Sequence, residues 1–233
     1  MSIKIEVFPN ADWARLVVRR WKAFMEEQPG PRLCLPTGQT PQPLYAQAGR
    51  SIDFGRATVF LLDEFGLPSG DPARCDAMLH RDFLAGLGRP PAVLHKLNPD
   101  AADLEAECHR FEDLVDDGGL DLTLLGLGGN GHVGLNEPGT EATAPTRVVQ
   151  LAPATRVAAG RYGSDREPGW GMTLGLRPIL DSREIWLLVT GSNKAKILER
   201  MLHGPIGPDL PASFLRTHPN TVVLADESAA GAM

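Results

Sequence analysis

LDLTLLGLGGNGHVGLNEPGT, residues 120–140, is the stretch whose reading decides the fold. Leu122, Leu124, Leu125 and Leu127 make an apolar run too short for a buried helix and closed by glycines, which predicts a buried parallel strand emptying into a turn. Gly126, Gly128, Gly129, Gly131 and Gly134 open backbone angles closed to other residues, so the turn can fold tightly. It carries Asn130, His132, Asn136 and Glu137. An imidazole and a carboxylate on one rigid turn can act as a proton-transfer pair: the carboxylate orients the ring and raises its basicity, and a free imidazole titrates at about 6.5. A lone histidine in a glycine-rich loop is also a common structural residue, so its role turns on what else reaches it.

Strand-like runs recur on both sides. Residues 3–8 alternate as a short strand, with Asn10 or Asp12 placed to cap a helix whose Trp13, Leu16, Val17, Trp21, Phe24 and Met25 form one apolar face. Residues 32–35 predict a strand. In the PTGQTPQPLYAQA that follows, Thr40 is placed as N-cap and Pro41 as the first residue of a helix reaching about residue 48. Thr37, Gly38 and Thr40 then lie between a strand and a helix N-terminus, where free N–H groups, hydroxyls and the macrodipole favour an anion. An ordinary capped turn would read the same way.

Residues 57–62 are the clearest strand and run straight into Asp63 and Glu64, at the edge where an open parallel sheet holds ligands; an aspartate there also serves as a cap. Residues 73–86 read as helix, 93–97 as strand and 101–115 as helix. Past the glycine turn, 146–151 predict a strand and 153–161 a helix, GSDREPGWG (163–171) is loop by composition, and 172–180 has no clear pattern. Residues 185–189 are another buried strand, ending in TGSNKAKILERML with Lys194 in the first helical turn. A cation there opposes the dipole unless an anion lies between, which makes Lys194 either a phosphate ligand or a solvated surface lysine. Residues 222–224 give a last short strand.

Strands alternating with helices predict an α/β fold with a mainly parallel sheet, and 233 residues suit one domain over 1–233. In such a sheet Thr37 to Thr40, Asp63, Asn130 to Glu137 and Lys194 share one edge. A net charge of −6 argues against a general nucleic-acid binder, so an anionic ligand must be held by local donors. The N-terminus lacks a signal-peptide pattern and no run approaches about 18 apolar residues, which predicts a cytoplasmic protein without a membrane span. Cys34, Cys75 and Cys108 read as reduced thiols. No serine or cysteine sits on a nucleophile elbow and no cluster has metal-cage spacing.

What remains is acid–base chemistry on a small molecule with an anionic handle. An aldose–ketose rearrangement of a sugar phosphate needs a group that moves protons between O1 and O5, and a base for the carbon beside the carbonyl. His132 fits the first role and Asp63 the second.

The segments LPTGQTP, LLDEFGLP, LLGLGGNGHVGLNEPGT and VTGSNKA, in this order and spacing, resemble the glucosamine-6-phosphate deaminase (isomerase) family, within a wider group that includes 6-phosphogluconolactonases. The resemblance covers roughly residues 35–226. It implies a three-layer α/β/α Rossmann-like fold and conversion of glucosamine 6-phosphate and water to fructose 6-phosphate and ammonia, with no cofactor. It further implies that Asp63 abstracts the C2 proton, that His132 opens the ring with Glu137 tuning it, and that Thr37, Gly38, Thr40, Arg161 and Lys194 hold the phosphate.

Four departures stand out. Asn130 replaces an Asp that works with the histidine in many members, and an amide cannot accept a proton. Ala73-Arg74-Cys75-Asp76 replaces the usual Ser-Tyr turn. Val149 replaces a lysine of the allosteric pocket, and the chain stops soon after Asp226. An unregulated monomer or small homo-oligomer is therefore expected, binding a small phosphosugar and neither nucleic acid nor membrane. A 6-phosphogluconolactonase, a deaminase for another phosphosugar such as galactosamine 6-phosphate, and a non-catalytic sugar-phosphate sensor remain open as alternatives.

Overall fold

The computed structural model describes residues 3–231. Its ten strands are β1 (Lys4–Phe8), β2 (Arg32–Leu35), β3 (Thr58–Leu61), β4 (Asp63–Phe65), β5 (Val93–His95), β6 (Leu122–Gly126), β7 (Arg147–Gln150), β8 (Trp170–Thr173), β9 (Glu184–Val189) and β10 (Thr221–Asp226). Seven of them form a wholly parallel sheet in the order β1-β10-β9-β6-β2-β3-β5. The helices are α1 (Trp13–Glu27), α2 (Gln42–Ser51), α3 (Cys75–Asp82), α4 (Leu104–Asp116), α5 (Pro153–Ala159), α6 (Leu176–Leu180), α7 (Ala195–His203) and α8 (Glu227–Ala230). None of the described helices is long and apolar enough to cross a membrane.

The two-residue period of the strands divides the core into two layers. Leu33, Leu35, Val59, Leu61, Leu122, Leu124, Trp186 and Leu188 pack with α1, α2 and α3 on one face. Cys34, Phe60, Leu62, Leu125, Ile185, Leu187 and Val189 pack with α4, α6 and α7 on the other. Both faces are covered, which is why these strands read as continuous apolar runs. The result is the three-layer α/β/α arrangement expected.

Several local expectations need correction. Asp12 stands at the N-cap of α1, but its side chain pairs with Arg15 and makes no cap bond, and Asn10 Oδ1 accepts from the Ser228 amide. Thr40 does not cap α2, which starts at Gln42 with no side-chain cap. Only Trp13, Val17, Trp21, Phe24 and Met25 of the α1 face are fully buried, together with Val18. The strand around residue 148 belongs to a second sheet, β4-β8-β7, which is antiparallel; of the unassigned stretch 172–180, Met172 and Thr173 end β8 and Leu176–Leu180 form α6. Trp170 and Gly171, placed in a loop by composition, start β8; Trp170 lies flat over Gly66, where a Cβ would fall 2.2 Å from the indole. Tertiary packing on a glycine outweighs the local turn signal there.

Leu124 is fully buried in the middle of the parallel sheet. Leu124→Ala is expected to lower stability by about 3 kcal/mol, from lost transfer energy plus the cavity left behind. Urea denaturation followed by circular dichroism checks this.

Candidate active site

Parallel pairing carries the ends of β2, β3, β6 and β9 to one edge of the sheet, and a cavity of about 520 Å³ opens there. Thr37, Gly38, Thr40, Asp63, Asn130, His132, Arg161 and Lys194 all line it. Glu137 stands behind the histidine instead of facing the cavity, with its Oε2 3.5 Å from His132 Nδ1. That imidazole nitrogen is buried and has no closer hydrogen-bond partner.

The glycines of the turn divide their work. Gly131 and Gly134 adopt φ of +90° and +57°, as the tight turn requires. Gly128 serves by its bareness: a Cβ there would fall 2.4 Å from atoms of the His132 ring, so the imidazole rests directly on the backbone. Gly126 and Gly129 show neither constraint, contrary to the expectation that all five supply special angles. Asn136 is fully buried and structural, its amide donating to Val133 O and Leu174 O while its oxygen accepts from Arg147.

The Glu137 carboxylate is clamped on both oxygens. Oε2 accepts from Asn130 Nδ2 at 2.8 Å and Oε1 from the Thr155 hydroxyl. Burial alone would raise this carboxyl, but His132, Thr155 and Asn130 outweigh it and hold the group down at about 2. Glu137 is therefore a permanent anion beside the ring. Asn130 does not bond to the imidazole itself: its oxygen accepts from the His132 backbone N–H at 3.2 Å, so the amide ties the turn to the carboxylate.

Asp63 and Glu64 have opposite surroundings because they face opposite sides of β4. Glu64 is fully buried outside the cavity, and its carboxylate accepts the backbone N–H groups of Phe65, Cys75 and Asp76 at 2.8, 2.6 and 2.9 Å. It anchors the start of α3, so the expectation of two acids at the ligand edge holds for Asp63 alone. Burial raises the Asp63 carboxyl to about 6, with the Cys75 thiol and the charge of His132 pulling partly the other way. A carboxylate so poised is a stronger base than in water.

Opposite the base lies the cradle. Gly38 takes φ of +105°, which turns the chain so that Thr37 to Pro41 all border the cavity ahead of α2. Lys194 closes a 3₁₀ turn (Ser192–Lys194) immediately before α7, instead of lying within the helix's first turn, and its Nζ donates to Leu127 O at 2.7 Å. Burial, and then Arg161, push its ammonium below the usual lysine range. Two cations repelling each other across a partly desolvated space favour an anion between them. Arg161 sits in a 3₁₀ turn (Gly160–Tyr162) at the end of α5, so the helix expected over 153–161 is shorter than the sequence implied.

Gln39, Thr155, Tyr162 and Asn193 also line the cavity, and none was singled out from the sequence. The only available signal was adjacency: Tyr162 follows Arg161, and Asn193 precedes Lys194. All three cysteines are free and buried, and among the described residues no group of His, Cys, Asp and Glu could hold a metal ion.

Together these features define a doubly wound α/β protein with one polar ligand site at the carboxyl edge of its sheet. The chain belongs to the family of glucosamine-6-phosphate isomerases/6-phosphogluconolactonase, whose sequence model matches residues 10–224. It is 40% identical over 215 residues to glucosamine-6-phosphate deaminase 1 of Bacillus subtilis (strain 168), covering 88% of this chain and 89% of that protein. It is 37% identical to the glucosamine-6-phosphate deaminase of Pseudarthrobacter chlorophenolicus, over 90% of this chain and 84% of the relative. Among solved structures, a monomeric glucosamine-6-phosphate deaminase superposes with a TM-score of 0.92 at 37% identity over all of both chains. The 6-phosphogluconolactonase of Thermotoga maritima shares the fold, with a TM-score of 0.79 at 20% identity over 97% of this chain and all of that one.

The raised Asp63 carboxyl has a consequence for stability. Because the folded state holds its proton up to about pH 6, against 3.8 for the free group, the ionised form costs the fold about 3 kcal/mol above that pH. Asp63→Asn is expected to raise the melting temperature at pH 8, the gain shrinking as pH falls through 6 and vanishing near 4. Calorimetric melts across that range check it.

Proposed function

We propose that the protein is a deaminase/isomerase that converts glucosamine 6-phosphate and water to fructose 6-phosphate and ammonia. One observation carries this reading: a carboxyl raised by burial to about 6 and an imidazole backed by a fixed anion face the same cavity as a cation-flanked glycine cradle. The relatives named as glucosamine-6-phosphate deaminases support the choice of substrate.

Thr37, Gly38, Thr40, Arg161 and Lys194 hold the phosphate, whose charge relieves the repulsion between the two cations. His132 moves the proton between O1 and O5 and opens the ring, and the Glu137 anion stabilises the imidazolium that forms on the way. Asn130 keeps that anion in place and takes no proton. Asp63 removes the proton from C2 and returns it at C1, leaving an imine at C2 that water hydrolyses to the ketone and ammonia. No step calls on a cofactor. The protein works as a single domain over residues 1–233, in the cytoplasm, as a monomer or small homo-oligomer.

A second reading, hydrolysis of 6-phosphogluconolactone, is favoured by the shared fold and would use the same cradle and histidine. Ammonia release from glucosamine 6-phosphate without acid release from the lactone is expected; the reverse result would replace the first reading by the second. Galactosamine 6-phosphate in the same assay tests the preferred epimer. A protein that binds the sugar phosphate tightly yet releases no ammonia would be a sensor.

The sign of the pH dependence follows from Asp63. The base works as its carboxylate, so kcat/KM is expected to fall as pH drops below about 6. Asp63→Asn should lower kcat by roughly 10²- to 10⁴-fold while the protein stays folded. A pH–rate profile of wild type and variant, read by coupled ammonia detection, decides both points.

A further inference from the structure

Tyr162 is a cavity-lining group that neither the motifs nor the acid–base roles account for. Its ring packs against the core layer beside α1, α2 and α3, and its phenol oxygen reaches the cradle glycine: a Cβ at Gly38 would fall 3.0 Å from Tyr162 Oη. The hydroxyl therefore occupies the space that a side chain at residue 38 would fill, on the cavity side of the turn bounded by Thr37 and Thr40. Arg161, its neighbour in the same 3₁₀ turn, lines the cavity as well. One short turn thus presents a guanidinium and a phenol to the anion cradle.

We propose that Tyr162 is a further phosphate ligand, its hydroxyl over Gly38 donating a hydrogen bond to the bound anion alongside Arg161 and Lys194. This rests on the reading of the cradle as a phosphate site. Burial, followed by the Cys75 and Asp63 side chains, pushes the phenol above its usual range, so it remains a protonated donor at neutral pH. The Gln39 backbone N–H meets the phenol oxygen on its lone-pair side, which leaves the hydroxyl hydrogen to donate. Asp63 acts on this hydroxyl through its charge and not through a hydrogen bond, and a phosphate bearing close to two negative charges is a strong acceptor.

The test is Tyr162→Phe, which keeps the ring and its packing and deletes only the donor. Inorganic phosphate is titrated calorimetrically into wild type and variant, and turnover of glucosamine 6-phosphate is measured on both. The expected result is a Kd for inorganic phosphate weakened about tenfold and a KM raised by a similar factor, with kcat within about twofold and the melting temperature unchanged. An unchanged phosphate Kd overturns the proposal, as does a wild type that binds no phosphate at all. A loss confined to kcat or to melting temperature would assign Tyr162 a structural role and overturn it equally. Should wild type release no ammonia, the proposed activity fails, while the phosphate titration still decides the role of Tyr162.

Discussion

The site depends on parallel pairing between neighbouring strands. Leu33 to Leu35 of β2 run in register with Val59 to Leu61 of β3, and Leu122 to Gly126 of β6 with Glu184 to Leu188 of β9. Since every strand of that sheet points the same way, every turn that follows a strand emerges on the same edge, and each return helix covers a face. The cradle follows β2, the base β3, the imidazole turn β6 and the lysine turn β9. Four strands buried on both sides cannot slide past one another without moving apolar side chains off their layer, so the distances among these groups are set by the core.

On that frame the protein separates carboxylates by environment. Asp63 is stripped of water and lacks backbone donors, Glu137 is gripped by an amide and a hydroxyl, and Glu64 is enclosed by three backbone amides. One carboxyl is raised to about 6, one is held as a fixed anion and one anchors the start of α3. Chemically alike groups are thereby given different roles, which is the pattern expected of acid–base sites. The thermodynamic side is equally direct: the burial that raises the Asp63 carboxyl is unfavourable to folding once it ionises.

Much of this was legible in the sequence because it depends on short-range rules. Apolar or alternating runs located all seven parallel strands, and the residues just beyond them named seven of the cavity's lining groups, while Arg161 came from the family resemblance alone. The second sheet was not legible, since β4, β7 and β8 are three or four residues each and β4 finds its partner β8 at the far end of the register Asp63 to Thr173. Periodicity cannot reveal a partner at that distance. Side-chain caps at Asn10 and Asp12 failed for a related reason: their oxygens are taken by Ser228 and by Arg15, and propensity alone does not rank such partners. Glu64 was indistinguishable from Asp63 until the face of β4 was known, and Tyr162 became visible only through its approach to Gly38.

The excursion between β7 and β8 has its own implication. Leu151 N donates to Gly169 O at 3.1 Å, closing the chain at the base of a long detour that bears α5, Arg161 and Tyr162, while β8 pairs Thr173 with Asp63. The detour is thus hung from a hairpin whose stem is bonded to the strand that holds Asp63. The detour bears cavity-lining side chains and also Thr155, whose hydroxyl holds Glu137, so a change in its length or composition reaches both the cavity wall and the anion behind the imidazole. A single surface excursion is thereby coupled to two walls of the cavity at once, and the scaffold ties the shape of its opening to the groups held beneath it.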